Sequence, residues 1–357
     1  MSTTQYKPPE PHAIAPGRHR HSALTFLTVA GQSRWVRRIG QSLLVIVLAY
    51  SAVFFILNIL PGDPIETQIS NPENPLTDDE ADALRQYYRL DEPGYVQFAI
   101  SIRRLFSGDL GYSLNTGQPV SGLLGHAIPS TLTLATVAFV LAALIGLVVA
   151  LAAVFAPWPW LRGFARGIPP IFLSVPAFVT GLVALQLIAF RLGLVSAVID
   201  QGFRSAFVAA IPLAIPVAAP IAQVLIQGLS NAAGQPYVEV LRAKGLSQRR
   251  IIGGHILRNG SIPTVTIVAI TVGELLAGSV IIETVFNRTG IGHLTETAVR
   301  NQDTPIIQAV VISVSVTFVV VNLIVDLLYP VIDPRIRTQA RRAPLGRRPR
   351  RIQEAGA

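Results

Sequence analysis

The chain has 357 residues, 51% of them hydrophobic and only 14% charged, with a mean hydropathy of +0.51. That is too apolar for an ordinary soluble fold and excludes a two-domain cytoplasmic enzyme as the default. With no cysteine, disulfide staples, thiolate zinc sites and cysteine nucleophiles are excluded too, while the formal charge of +9 fits either nucleic-acid binding or the cytoplasmic loops of a membrane protein.

Residues 1–34 are rich in Pro, His, Ser and Thr and read as a largely disordered extension. The stretch Ala23 to Ala30 has about the length of a signal-peptide core, but Arg34, Arg37 and Arg38 follow it before the first real span, so no cleavage is expected. Six stretches then approach the ~20 apolar residues that a bilayer-spanning helix needs: 39–60, 131–155, 168–190, 206–228, 262–282 and 307–330. Pro169, Pro170 and Pro176 fall in the third and Pro212, Pro216 and Pro220 in the fourth, so these two carry the weaker helix signal.

If both termini are cytoplasmic, the inner segments hold 21 Lys and Arg and the outer ones 8, an asymmetry that sets the orientation. The basic run from Arg341 to Arg351 reads as a lipid-facing tail rather than a nucleic-acid site. The outer segment 61–130 reverses the charge, with ten acidic and four basic residues. Thr77-Asp78-Asp79-Glu80 is a capping box ahead of a helix through Ala81, Leu84, Tyr87 and Tyr88, and Tyr95 to Phe106 reads as a second amphipathic helix before a turn at Gly108-Asp109-Leu110-Gly111. The segment is either a spacer or a docking surface for an external partner.

Between spans four and five, Tyr237 to Ala243 reads as a short amphipathic helix closed by Gly245, with Ser247 able to cap a second helix from Gln248. Spacing alone allows a plain basic loop on the membrane surface or a compact protruding knob. Here the residues resemble the inner-membrane permease subunits of ABC importers for oligopeptides, dipeptides and nickel. The resemblance rests on Glu239 to Gly245 with the run Arg242-Ala243-Lys244-Gly245-Leu246-Ser247, on Leu60-Pro61-Gly62-Asp63-Pro64, on Gly108-Asp109-Leu110-Gly111 and Thr116-Gly117-Gln118-Pro119-Val120, and on Pro129-Ser130-Thr131-Leu132. Further on it takes in Glu283-Thr284-Val285-Phe286, Gly290-Ile291-Gly292, the stretch Asn322 to Tyr329 and Asp333-Pro334-Arg335-Ile336-Arg337. It covers 39–337, leaving the extension 1–38 and the basic tail 338–357 outside.

The resemblance implies an all-α polytopic protein with six transmembrane helices and a type I ABC importer-like permease fold, multi-pass in the cell membrane, forming half of a translocation pathway. It implies a second homologous permease, two ATPase subunits that bind ATP and Mg, and an extracytoplasmic substrate-binding protein. Segment 229–261 would be the coupling-helix segment, with Tyr237, Glu239, Arg242, Ala243, Lys244, Gly245 and Leu246 meeting the ATPase. No G-x-x-x-x-G-K-[ST] loop is present, so nucleotide hydrolysis, and with it any cofactor, belongs to the partners. No catalytic residue, metal site or nucleic-acid partner is expected, and peptides are the expected cargo, with nickel or another metal chelate as the alternative. A self-sufficient channel or secondary transporter would need paired intramembrane charges or an inverted repeat, and a membrane enzyme would need His or Cys constellations inside the spans; neither pattern stands out.

In span five, Gly273, Gly278 and Ser279 are candidates for the translocation pathway or for close helix packing alone. Glu283 and Asp326 fall on positions the family shares and suggest structural or gating roles. Glu274 departs from the family pattern, and a mid-span acid must face either the pathway or a buried hydrogen-bonding partner. Gln223 and Gln227 stand where relatives usually carry arginine, and Asn287-Arg288-Thr289 where they usually carry an aromatic residue or proline.

Overall fold

The computed structural model describes residues 22–59, 77–89, 91–196 and 199–332, with most side chains placed between residues 38 and 324 in those ranges. The chain divides into two units, residues 1–48 and 49–357. Helix α1, Ser22–Ile59, starts well inside the segment read as a disordered extension. The prolines that signal disorder, Pro8, Pro9, Pro11 and Pro16, all precede it. Leu60 to Pro64, Asp333 to Arg337 and the basic tail lie outside the described residues.

In the second unit, α2 (Asp78–Tyr88) and α3 (Gly94–Phe106) occupy the positions the capping box and amphipathic run predict. The first long helix after them is α4 (Val120–Phe155), begun eleven residues ahead of its apolar stretch. Next come α5 (Pro159–Ser174) and α6 (Ala177–Ala184, continued as a π-helix over Leu185–Arg191). Helix α7 covers Phe203–Ala233 and α8 Pro236–Ala243, and α9 is built from Gln248–Ile251, a π turn Ile252–Ile256 and Leu257–Gly260. The chain closes with α10 (Ile262–Val285), α11 (Ile291–Arg300) and α12 (Thr304–Ile332). Among the described residues there is no strand, only an isolated antiparallel bridge between Tyr112 and Pro119.

The third span is not the continuous helix that the sequence predicts. Pro176 holds Val175 extended (φ −102°, ψ 119°), and α5 and α6 meet there at 98°. Helix α4 packs against α7 through alanine and leucine: Leu134, Ala138 and Ala142 meet Ala209, Leu213 and Ala214, while further along Ala150 meets Leu225 and Leu229. Sequence number rises the same way on both helices, so they run parallel, and the segment joining them must return across the bundle. The bent α5–α6 pair therefore works as one broken span, making six. In α7 the prolines at 212, 216 and 220 leave the helix unbroken. Pro216 has no N–H to give the Pro212 carbonyl; the Thr180 hydroxyl of α6 lies 3.4 Å from that carbonyl but donates to the nearer Ala177 carbonyl at 2.8 Å.

Candidate functional site

Pro236 opens α8 at a position where a missing amide hydrogen is harmless. The helix closes in a Schellman arrangement: the Leu246 N–H donates to the Leu241 carbonyl at 3.2 Å and the Gly245 N–H to that of Arg242 at 2.9 Å, with Gly245 at φ +80°. Ser247 takes the extended N-cap conformation ahead of α9, but its hydroxyl makes no capping bond; its carbonyl accepts from Arg250 and Ile251 instead. The resulting knob has two faces. Val238, Ile251 and Ile256 are buried against Ala150, Leu225, Leu229 and Ala232, with Leu241 and Leu246 packed behind them. Glu239, Val240, Arg242, Ala243, Lys244 and Gly245 are exposed. Tyr237 stays half-buried, its hydroxyl accepting from Asn259 Nδ2 at 3.4 Å. The exposed face thus includes Val240, at 53% exposure, which the sequence reading passes over, while Tyr237 and Leu246 stand on the side that ties the knob down.

At the root of the knob, α7 and α9 cross backbone on backbone. A Cβ at Gly228 would lie 2.0 Å from the Gly260 carbonyl oxygen, and one at Gly260 would lie 2.9 Å from the Gly228 carbonyl. Beside the crossing is a cavity of about 420 Å³ whose polar lining is Asn231, Gln235, Tyr237 and Asn259, closed on one side by Ile262 and Pro263 of α10.

Along α10 the four pathway candidates separate. A Cβ at Gly278 would meet Leu213 at 2.9 Å and one at Gly273 would meet Phe318 at 3.3 Å. Ser279 is buried and donates to its own Leu276 carbonyl at 2.9 Å. These three face neighbouring helices, while Glu274 is exposed on the remaining face. Near the end of α10, Glu283 is fully buried; its carboxylate accepts the Gly292 N–H at 2.6 Å and fills the space where a Cβ at Gly290 would stand, 2.3 Å away. Asp326 falls on α12, and its side chain lies outside the described residues.

At the end of the bundle opposite the knob, Arg288 is 2% exposed. Its Nη1 donates to Asp200 Oδ1 at 3.1 Å and to the Gly202 carbonyl at 3.0 Å, and its Nη2 donates to Ser130 Oγ at 2.9 Å. One guanidinium thus joins α4, the segment ahead of α7 and the turn after α10. Thr131 extends the junction by accepting the Ile291 N–H at 2.8 Å.

Residues 142–338 match the family described as the binding-protein-dependent transport system inner membrane component. The chain is 31% identical over 303 residues to the dipeptide transport system permease protein DppB of Lactococcus lactis subsp. cremoris, covering 85% of this chain and 98% of that protein. It is 35% identical over 288 residues to the glutathione transport system permease protein GsiC of Salmonella typhimurium, covering 80% and 92%. A chain of the MetNI methionine ABC transporter superimposes with a TM-score of 0.51 at 18% identity, over 59% of this chain and 96% of that one, which bears on the fold alone. The chain belongs to this inner membrane permease family. It is a multi-pass permease subunit of an ABC importer, with the all-α type I permease fold.

The permease also carries a folded segment between its first two spans. Tyr87 and Tyr88 meet edge to face at 4.9 Å, and the Arg104 guanidinium lies 3.9 Å over the Tyr87 ring. The Tyr87 hydroxyl donates to both Asp109 carboxylate oxygens, at 2.8 and 2.9 Å; burial, and then that carboxylate, push its pKa up to about 12, so it stays a donor at physiological pH. Phe98 of α3 packs on Phe54 and Phe55 of α1, with ring centroids 5.1 and 5.2 Å apart. Ser113 donates to the buried Asp303 ahead of α12 at 2.6 Å, and Asn115 Nδ2 to the same carboxylate at 3.2 Å. This end of the permease is therefore braced by polar contacts between loops, the knob end by apolar packing and two glycines. The sequence reading missed Asp200, Arg288, Asp303, Gly228 and Gly260. Only Arg288, a basic residue on the acidic side in a stretch that departs from the family pattern, carried a signal.

Proposed function

We propose that this permease forms half of the pathway of an ATP-driven importer for di- or oligopeptides, with its knob seated on a partner ATPase. The cargo reading is supported by the relatives, a dipeptide and a glutathione transport system permease protein among them. The seating is supported by one observation: α8 and its C-cap present Glu239, Val240, Arg242, Ala243 and Lys244 outward while Val238, Ile251 and Ile256 fix the same knob to the ends of α4 and α7. A knob held this way moves the helices when it is moved. A small apolar centre at Val240 and Ala243, rimmed by charges, suits a protein groove. Gly273 and Gly278 set how closely α10 approaches α12 and α7, and Glu283 wedges the turn 286–292 beneath the outer opening.

The partners in this reading are a second homologous permease, two ATPases holding ATP and Mg, an extracytoplasmic binding protein and the surrounding lipid. The knob, both termini and the basic tail 338–357 lie in the cytoplasm, and the end built on Arg288 lies outside. Because the chain has no cysteine, orientation has a direct test. Ser247→Cys is expected to react with a membrane-impermeant maleimide only when the inner face is open, and Thr116→Cys only from outside; the reverse pattern would invert the topology.

Gly245 carries the mechanical prediction. Nothing lies within 4 Å of its absent Cβ, so an added Cβ meets no neighbour, yet φ +80° strains an L residue by about 1–2 kcal/mol. Gly245→Val is expected to lower ATP-driven uptake about tenfold in proteoliposomes containing the whole transporter, with subunit assembly intact. Asparagine, which accepts the left-handed conformation, should largely restore it. Normal uptake by the valine variant would remove the knob from the mechanism.

A further inference from the structure

On α10 the exposed positions Pro263, Thr266, Ile270, Glu274, Ala277, Ile281 and Thr284 recur at intervals of three and four, forming one stripe along the helix. Glu274 stands twelve residues from Ile262 and eleven from Val285, close to mid-membrane by the rise of a helix. No described residue pairs or hydrogen-bonds with it. Helix α10 has no basic residue of its own, Arg258 preceding it and Arg288 following it. A threonine hydroxyl in such a place can turn back on its own helix, as that of Thr284 does to the Val280 carbonyl at 2.9 Å, whereas a carboxylate cannot. Lipid is not a tenable neighbour for it.

The other spans show what lipid-facing surface looks like in this chain. Among the described side chains, the exposed large ones of α12 are Val314, Val316, Phe318, Val320 and Ile324, and those of α1 from Leu43 onward are aliphatic or aromatic. The α10 stripe differs from these in two ways. It carries a carboxylate at its centre, and at its knob end Pro263 forms part of the wall of the cavity lined by Asn231, Gln235, Tyr237 and Asn259. That cavity offers neutral hydrogen-bonding groups of the kind that exchange partners with peptide amides. A mid-membrane acceptor of negative charge leading to an uncharged amide-lined cavity suits a solute that has both a cationic amine and amide bonds.

We propose that Glu274 meets the positively charged amino group of the transported peptide as it passes the middle of the membrane, making it a determinant of preference for peptides with a free amine. This rests on the peptide-import reading above. In proteoliposomes containing the whole transporter, uptake of a tripeptide with a free amino terminus is compared with uptake of its N-acetylated form, using a pair that the binding protein holds with measured affinity. Glu274→Gln is expected to slow the free-amine peptide about tenfold and to leave the acetylated one unchanged, while Glu274→Asp retains the preference. Equal slowing of both peptides, or no change in either, would overturn the assignment. Loss of the second permease from the purified Glu274→Gln complex would overturn it in favour of a charge pair between subunits. A wild-type complex that hydrolyses ATP but imports neither peptide would overturn the peptide reading and this assignment with it, whereas failure of the Glu274 assignment alone leaves wild-type import intact.

Discussion

Replacing Gly228 with alanine is expected to destabilise the permease by about 3 kcal/mol, the upper part of the range for overpacked interiors. The new methyl would sit 2.0 Å from the Gly260 carbonyl oxygen. Because the obstacle is backbone rather than the tip of a side chain, no rotamer change relieves it, and α7 and α9 must separate. The crossing lies at the root of the knob, so separation also loosens the contacts of Val238, Ile251 and Ile256. Heating the detergent-solubilised transporter and following the intact complex measures the effect. Gly253 and Gly254, with nothing within 4 Å of an added Cβ, are the controls, and alanine at either should change stability by less than about 1 kcal/mol. If Gly228→Ala melts with the wild type, the two backbones do not cross this closely in the membrane. If it melts early but transports normally at low temperature, the crossing stabilises the fold without carrying force from the knob.

How far the sequence reveals this architecture depends on the range of the interaction. Hydropathy marks the spans because a bilayer selects apolar runs residue by residue, and Gly245 marks the end of α8 because a left-handed turn is a local demand. The break between α5 and α6 was half visible: Pro176 was on view among the prolines of the third span, but nothing local distinguishes it from Pro212, Pro216 and Pro220, which α7 absorbs without a break. Gly228 and Gly260 escape notice because each is explained only by the other, 32 residues away in the chain. The candidates on α10 divide in the same way. Their composition fits packing or a pathway equally, and only the neighbours Leu213 and Phe318 set Gly278 and Gly273 apart from the exposed Glu274.

The junction built on Arg288 predicts a second large effect. Arg288→Met keeps most of the side-chain volume but removes the donors that Asp200, Gly202 and Ser130 now use. It leaves the Asp200 carboxylate, 13% exposed, with only the Gly202 N–H at 2.9 Å and the weaker Thr289 contacts at 3.3 and 3.4 Å. Removing one partner of a buried pair typically costs about 3–5 kcal/mol, mostly for the charge left behind rather than for the lost attraction. Asp200→Asn should be costly for the converse reason, since it strands a guanidinium that is 2% exposed. The double variant Asp200→Asn, Arg288→Met should therefore lose markedly less stability than the two single losses added together. Raising the salt should change little, because the pair is shielded from mobile ions. Melting of the four proteins in detergent closes the cycle. Strict additivity would mean that each residue acts through separate contacts; coupling would mean that one ion pair holds α4, the segment ahead of α7 and the turn after α10 together, so that these elements can part only by straining or breaking it.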